Sequence, residues 1–146
     1  MQQEPLTLER TFNAPVERVW RAITDKDHMK QWYFDLPEFK AEVGFEFSFR
    51  AGKTDRVFLH LCRVTEVEPN KKLTYSWQYE EFPGNSFVTF ELFPEGDKTR
   101  LKLTHAGLET FGDSPEVARG NFETGWTMLI GTKLKEYVEK AAVTEP

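Results

Sequence analysis

Cysteine occurs once in 146 residues, at Cys62, so no intramolecular disulfide can form and nothing asks for an oxidising compartment. Positive charge is also scarce: 19 Lys and Arg stand against 24 Asp and Glu, a net charge of −5. Such a surface is poor footing for nucleic-acid phosphates, which reward clustered Lys and Arg, and for anionic membranes. No apolar run approaches the roughly 18 residues of a membrane-spanning helix. The opening residues, MQQEPLTLERTF, lack a basic segment followed by an apolar one, so they do not read as a secretory signal. Repeats, low-complexity tracts and linkers are missing as well. These absences predict a soluble, cytoplasmic, single domain over residues 1–146, with no nucleic-acid partner and no membrane insertion.

Aromatic residues are plentiful instead: 13 Phe, 4 Trp and 4 Tyr, or 14% of the chain. That load excludes a disordered chain, which lacks the apolar surface to offset chain entropy, and it suggests bulky side chains around a thick core or a cavity.

The hydrophobic period changes along the chain. Leu6, Leu8 and Arg10 alternate with Thr7, Glu9 and Thr11, which predicts a first strand over residues 5–12. Asn13 is placed to cap a helix with Pro15 in its first turn, and Val16, Val19, Trp20 and Ile23 follow at helical spacing. Asp25 is placed to cap a second short helix carrying Met29 and Trp32. The period then becomes two. Strands are predicted around Phe45–Phe49, over 56–68, 71–80, 86–93 and 99–105, separated by turns at Glu68-Pro69-Asn70, Pro83-Gly84-Asn85 and Pro94-Glu95-Gly96-Asp97. Short gaps of this kind favour antiparallel hairpins, because parallel neighbours need long crossovers. Ser114 and Pro115 then open a last helix running to about Lys140, with Phe122, Trp126, Leu129, Ile130, Leu134 and Tyr137 on one face and a tail that frays from Val143. Gly120, Gly125 and Gly131 weaken such a helix and suggest a close approach or a bend.

One antiparallel sheet with a single long helix to cover it closes most simply as a helix gripped by a curved sheet. The residues resemble that fold specifically. Phe12-Asn13-Ala14-Pro15-Val16-Glu17-Arg18-Val19-Trp20-Arg21-Ala22-Ile23 followed by Trp32, then Val64, Glu66-Val67-Glu68-Pro69 and Leu73-Thr74-Tyr75-Ser76-Trp77, are similar to the START-like (SRPBCC, helix-grip) superfamily that includes the birch pollen allergen. Thr99-Arg100-Leu101, Leu103-Thr104-His105-Ala106-Gly107-Leu108 and Gly125-Trp126 complete the resemblance. It is strongest to the bacterial branch named after the activator of heat-shock-protein-90 ATPase homologue. The resemblance implies an α+β fold of six or seven antiparallel strands around a long C-terminal helix. It implies a range of roles: lipid and sterol carriers, hormone receptors, polyketide cyclases, antibiotic-sequestering proteins and chaperone regulators. A fold with so many roles implies a site rather than a chemistry.

Alternation places Phe45, Phe47, Phe49, Tyr75, Trp77, Tyr79, Phe90 and His105 on the inner face, joined by Phe122, Trp126 and Leu129 from the helix. His60 and Cys62 share one face of their strand, although Val57, Leu59 and Leu61 form a competing apolar set. These thirteen candidates (Phe45 to Leu129, with His60 and Cys62) read either as packed core or as the lining of a cavity for a small apolar or aromatic molecule. A buried phenol or indole needs a hydrogen-bond partner, which a backbone carbonyl or a ligand supplies. His60, Cys62 and His105 lack any CxxC, HxxxH or HExxH spacing, so no metal site is expected. No nucleophile elbow is visible, and no cofactor is implied. His105, Tyr75 and Glu46 are the candidates for acid–base work, with Glu46 expected to face solvent. Phe39 and Phe82 are candidate gates over a pocket mouth. The leading expectation is a small-molecule-binding module, with a protein-interaction module acting through its surface and a cyclase- or hydrolase-like enzyme as alternatives.

Overall fold

The computed structural model describes residues 5–33, 36, 38–53, 56–80, 82–112 and 119–144. Six strands run as β1 (Leu6–Phe12), β2 (Glu46–Lys53), β3 (Arg56–Glu68), β4 (Lys72–Tyr79), β5 (Ser86–Glu95) and β6 (Lys98–Ala106). They form one antiparallel sheet in the order β1-β6-β5-β4-β3-β2, so β2 to β6 are a continuous meander and β1 closes on β6. Helices α1 (Val16–Thr24) and α2 (Lys26–Trp32) follow β1, and a short 3-10 turn (Leu108–Phe111) follows β6. The C-terminal helix is α3 (Arg119–Met128), a π-helical stretch (Leu129–Leu134) and α4 (Lys135–Thr144), which pack on β1, α1 and α2. This is the α+β helix-grip fold.

Local chemistry explains the boundaries, with three corrections. Asp25 caps α2 by accepting from the Asp27 N–H at 2.9 Å, but Pro15, not Asn13, holds the N-cap position of α1. Asn13 instead donates its backbone N–H to the Glu139 carboxylate at 2.9 Å, which ties the middle of α4 to the exit of β1. Glu139 also receives Lys135 at 2.6 Å. The β5–β6 turn is tighter than Pro94-Glu95-Gly96-Asp97 suggests: Pro94 pairs with Thr99 and Glu95 with Lys98. Proline is tolerated because β4 has already ended its pairing at Lys72↔Glu91, leaving no neighbour to receive the missing N–H. Only Gly96 and Asp97 make the turn, with Gly96 at φ +67°. Finally, α4 stays helical to Thr144, past Lys140. The Ser114–Pro115 start lies outside the described residues.

Among the residues of the C-terminal helix up to Lys140, the buried ones are Phe122, Trp126, Ile130, Leu134 and Val138, a strict step of four. A pure α-helix turns once per 3.6 residues, so each such step overshoots by about 40° and the row would spiral off the sheet. A π-helical turn, with its i→i+5 bonds, is wider and takes that drift back. It is why Val138 is buried while Leu129 and Tyr137 are only half-buried. Gly120 and Gly125 face open space, not a neighbour, whereas a side chain at Gly131 would meet the Arg10 guanidinium at 3.2 Å.

Candidate functional site

The inner face of the sheet carries an aromatic layer. Phe47, Phe49, His60, Cys62, Tyr75, Trp77, Tyr79, Phe90 and His105 are buried there, under Phe122 and Trp126 from α3. Phe45 and Leu129 are half-buried at its margin. The rings are in mutual contact: Phe49 stacks on His60 at 4.5 Å, Phe47 meets Tyr75 edge-on at 5.1 Å, and Trp77 lies 5.6 Å from Trp126. Most of the space under the helix is therefore filled by protein at the density expected of a core. On β3 the inward set is His60, Cys62 and Val64, and Leu61 is exposed. The register shift between Val64 and Glu66 lies beyond both apolar sets of this strand, so it does not reconcile them; it turns Val67 towards the core after Val64.

His105 sits in a closed chain of hydrogen bonds. The Ser86 hydroxyl donates to the Trp77 carbonyl at 2.9 Å, so its oxygen accepts from His105 Nε2 at 2.8 Å. His105 Nδ1 is then the unprotonated nitrogen, and it accepts the Trp126 indole N–H at 3.0 Å. Burial pulls the pKa of this imidazole down to about 3. With both nitrogens engaged and the ring neutral, His105 is wired as a structural link rather than as a general base. His60 is likewise turned to the backbone, with Nδ1 3.0 Å from the Phe58 carbonyl oxygen.

A second polar pair lies deeper. Tyr33, the C-cap residue of α2, reaches under the helix and places its hydroxyl 2.6 Å from that of Tyr75. Burial pushes both phenols well above their ordinary pKa, so both stay neutral. Tyr75 thus finds its partner in another hydroxyl of the chain, neither the backbone carbonyl nor the ligand that the sequence offered as alternatives. Burial also pushes the Cys62 thiol up, the opposite of what a nucleophile or metal ligand needs. Glu46 is exposed, so it does not converge with Tyr75 and His105. Among the described residues no three His, Cys, Asp or Glu side chains come together as metal ligands.

What remains open on the inner side is a cleft of about 160 Å³ between β4 and α3, lined by Trp77, Tyr79, Asn121, Phe122, Gly125, Trp126 and Leu129. Five of these were among the thirteen candidates. Asn121 and Gly125 were not singled out for the site, although Gly125 stands in the Gly125-Trp126 pair that carries part of the resemblance. The other eight candidates pack around the cleft without lining it. Phe39 is buried against Phe47 at 5.0 Å, and Phe82 packs on Tyr79 at 5.7 Å, so both are held by neighbouring rings. Tyr33 was not singled out either; the only signal is an aromatic pair, Trp32-Tyr33, straddling a helix end. A larger concavity of about 630 Å³ lies on the opposite face of the sheet, bordered by Ser48, Leu61, Thr65, Gln78 and Phe87. Leu61 and Phe87 are 37% and 43% exposed there.

Comparison with known proteins agrees with the fold. The yeast (Saccharomyces cerevisiae) Hsp90 co-chaperone AHA1 is 27% identical over 131 residues, covering 84% of this chain but only 35% of the relative. The chain thus spans about a third of that relative's length. Protein MLL2253 from Mesorhizobium loti superposes with a TM-score of 0.77 at 29% identity, covering 97% of this chain and 99% of that one. Protein BH1534 from Bacillus halodurans gives 0.75 at 28% identity, covering 94% and 99%. Protein CV1439 from Chromobacterium violaceum gives 0.78 at 22% identity, covering 93% and 97%. The family profile described as activator of Hsp90 ATPase homolog 1-like protein matches residues 13–139. With that match running from the exit of β1 into α4, the chain belongs to the family of activator of Hsp90 ATPase homolog 1-like proteins.

Proposed function

We propose that the protein is a small-molecule-binding module whose ligand enters the aromatic cleft between β4 and α3. The observation that carries this reading is the space left at Gly125: a side chain built there meets nothing within 4 Å, yet Gly125 lines a cleft walled by Trp77, Tyr79, Phe122 and Trp126. A glycine inside a helix costs about 1 kcal/mol relative to alanine, and here it keeps an opening rather than a contact. Magnitudes limit the ligand. The cleft is about the size of the engineered cavity of roughly 150 Å³ that takes up benzene. A ring burying roughly 150 Å² gains about 4 kcal/mol at 25 cal/mol per Å², which corresponds to millimolar affinity. The ligand therefore inserts one ring-sized group, and tighter binding comes from polar contacts or from parts that stay outside.

The test is a thermal-shift screen of small aromatics on the wild type, Gly125→Ala and Gly125→Leu. A ligand that binds only the folded state raises the melting temperature. Hits should persist in Gly125→Ala and vanish in Gly125→Leu, whose side chain fills the cleft. A hit that stabilises Gly125→Leu as much as the wild type would rule this cleft out.

A second reading rests on a different observation, the groove on the outer face with Leu61 and Phe87 exposed. The name of the yeast relative, an Hsp90 co-chaperone, makes a protein partner of that kind the first to try. Calorimetric titration with purified Hsp90 should show binding that Phe87→Asp abolishes; no heat from the wild type would remove this reading.

A further inference from the structure

The sheet has two edges. β1 packs against α3 and α4, whereas β2 pairs with β3 alone. Two bonds at the start of β2 set the phase of that pairing: the Gly44 N–H donates to the Val64 carbonyl at 2.8 Å, and the Val64 N–H donates to the Phe45 carbonyl at 2.9 Å. In an antiparallel ladder the bonded pairs recur every second residue, so Phe47↔Cys62 and Phe49↔His60 are the next two. The backbone N–H and C=O groups of Glu46, Ser48 and Arg50 therefore point away from β3, and among the described residues nothing in the chain receives them. Such a row is a template for a further strand. The side chains of the same three residues lie on the outer face, where Glu46 and Arg50 are exposed. They stand about 13 Å apart along the strand, too far to pair with each other. Among the described residues neither forms an ion pair, although Arg63 lies opposite Glu46 on β3.

We infer that β2 is an interaction edge for a second copy of this chain, joined antiparallel about a two-fold axis at Ser48. In that register Ser48 faces Ser48 of the second copy and Glu46 faces its Arg50, so the outward backbone groups of all three residues meet in bonded pairs. The two-fold axis brings the Glu46–Arg50 match twice, once at each end of the short ladder, and opposite charges directly across two strands attract. Charge also fixes the register. Centred on Glu46 or on Arg50, the same strands set like charges face to face; run parallel and in register, they set Glu46 on Glu46 and Arg50 on Arg50. On the inner face Phe47 meets Phe49 of the second copy, so the pairing brings no charge to the aromatic layer. The strand is thus complementary to itself, which is what a two-fold contact between identical chains demands. A ladder of about five residues buries less than the roughly 1,200 Å² of stable interfaces, so the dimer is a transient one that forms at high protein concentration. The cleft beneath α3 lies two strands away at β4 and stays open in either state.

The experiment is sedimentation equilibrium of the full chain at concentrations from about 10 μM to about 1 mM. The wild type should rise from 17.1 kDa toward twice that mass. Glu46→Arg and Arg50→Glu should each weaken association at least about tenfold, because each sets two pairs of like charges face to face. Combining Glu46→Arg with Arg50→Glu should restore association, since the match is then reversed but intact. Ser48→Pro removes only an outward N–H and leaves the ladder to β3 whole, so it should hold the protein monomeric with a melting temperature near that of the wild type. Should Ser48→Pro fail to fold, the three charge variants, changed only at exposed side chains, decide the matter. A wild type still monomeric at about 1 mM overturns the second copy as occupant and leaves the edge to an extended segment of another protein. A dimer that both single charge reversals leave intact, or that the double exchange does not restore, overturns β2 as its seat.

Discussion

Trp126 and His105 meet through a hydrogen bond of 3.0 Å, indole N–H to Nδ1, and that contact fixes the imidazole proton on Nε2 facing Ser86. The helix and the sheet are thereby joined through a ring that has to stay neutral. Protonating it would aim a second N–H at the indole N–H and place a charge in a buried aromatic layer.

A pH dependence follows from that arrangement. Burial lowers the pKa of His105 from 6.5 to about 3 in the folded protein. Between those values the unfolded chain takes up a proton that the folded one refuses. The contribution is therefore fully present above pH 6.5 and is lost as the pH falls toward 3, at up to about 1.4 kcal/mol per pH unit. Urea unfolding at pH 7, 6, 5 and 4 should show the wild type losing stability faster than His105→Gln, which keeps an acceptor and a donor but does not titrate. Parallel curves for the two proteins would contradict the assignment.

The Tyr33–Tyr75 hydroxyl pair, 2.6 Å apart and buried, makes a testable contribution of its own. Removing one hydroxyl leaves the other short of a partner, so Tyr33→Phe and Tyr75→Phe should each cost about 1–2 kcal/mol. The double variant orphans neither group and should cost clearly less than the sum, with a coupling of at least about 0.5 kcal/mol. Chemical denaturation of the four proteins closes the cycle. Strict additivity would mean that the two hydroxyls act independently.

These two polar pairs mark the line between what the residues disclose in one dimension and what they do not. Alternation through Phe47, Phe49, Tyr75, Trp77 and Tyr79 reads directly as an inward aromatic face, because a strand repeats every two residues. The meander reads from its turns, since Asn70 and Gly96 adopt the left-handed backbone that those turns require. Tyr33 was illegible because its role depends on a helix ending beside a strand 42 residues away. The π-helical stretch hid in a buried row of step four, which resembles an α-helical face until the drift is added up. Most tellingly, nothing in the sequence marks Trp126 as the partner of His105, and only folding brings the two together across 21 residues.

Glycine substitutions separate backbone demand from local crowding. Gly84 has φ +93°, and a side chain there would overlap the Thr110 carbonyl oxygen; Gly107 has φ +91° and would place a methyl group 2.8 Å from the Asn85 carbonyl oxygen. Both sites join the β5 entrance to the 3-10 turn after β6, where Thr110 accepts the Asn85 N–H at 2.9 Å. Gly84→Ala and Gly107→Ala should each cost about 2 kcal/mol or more, since strain and overlap act together. Gly131 differs: its backbone is helical, and the nearest atom is the movable end of Arg10 at 3.2 Å. The helical gain of about 1 kcal/mol for alanine should roughly offset the displacement of that side chain, leaving Gly131→Ala within about 0.5 kcal/mol of the wild type. Urea midpoints of the three variants test this ordering. A Gly131→Ala as damaging as Gly84→Ala would show that Arg10 is locked against the π-helical turn, and that this turn depends on the guanidinium as well as on its row of buried side chains.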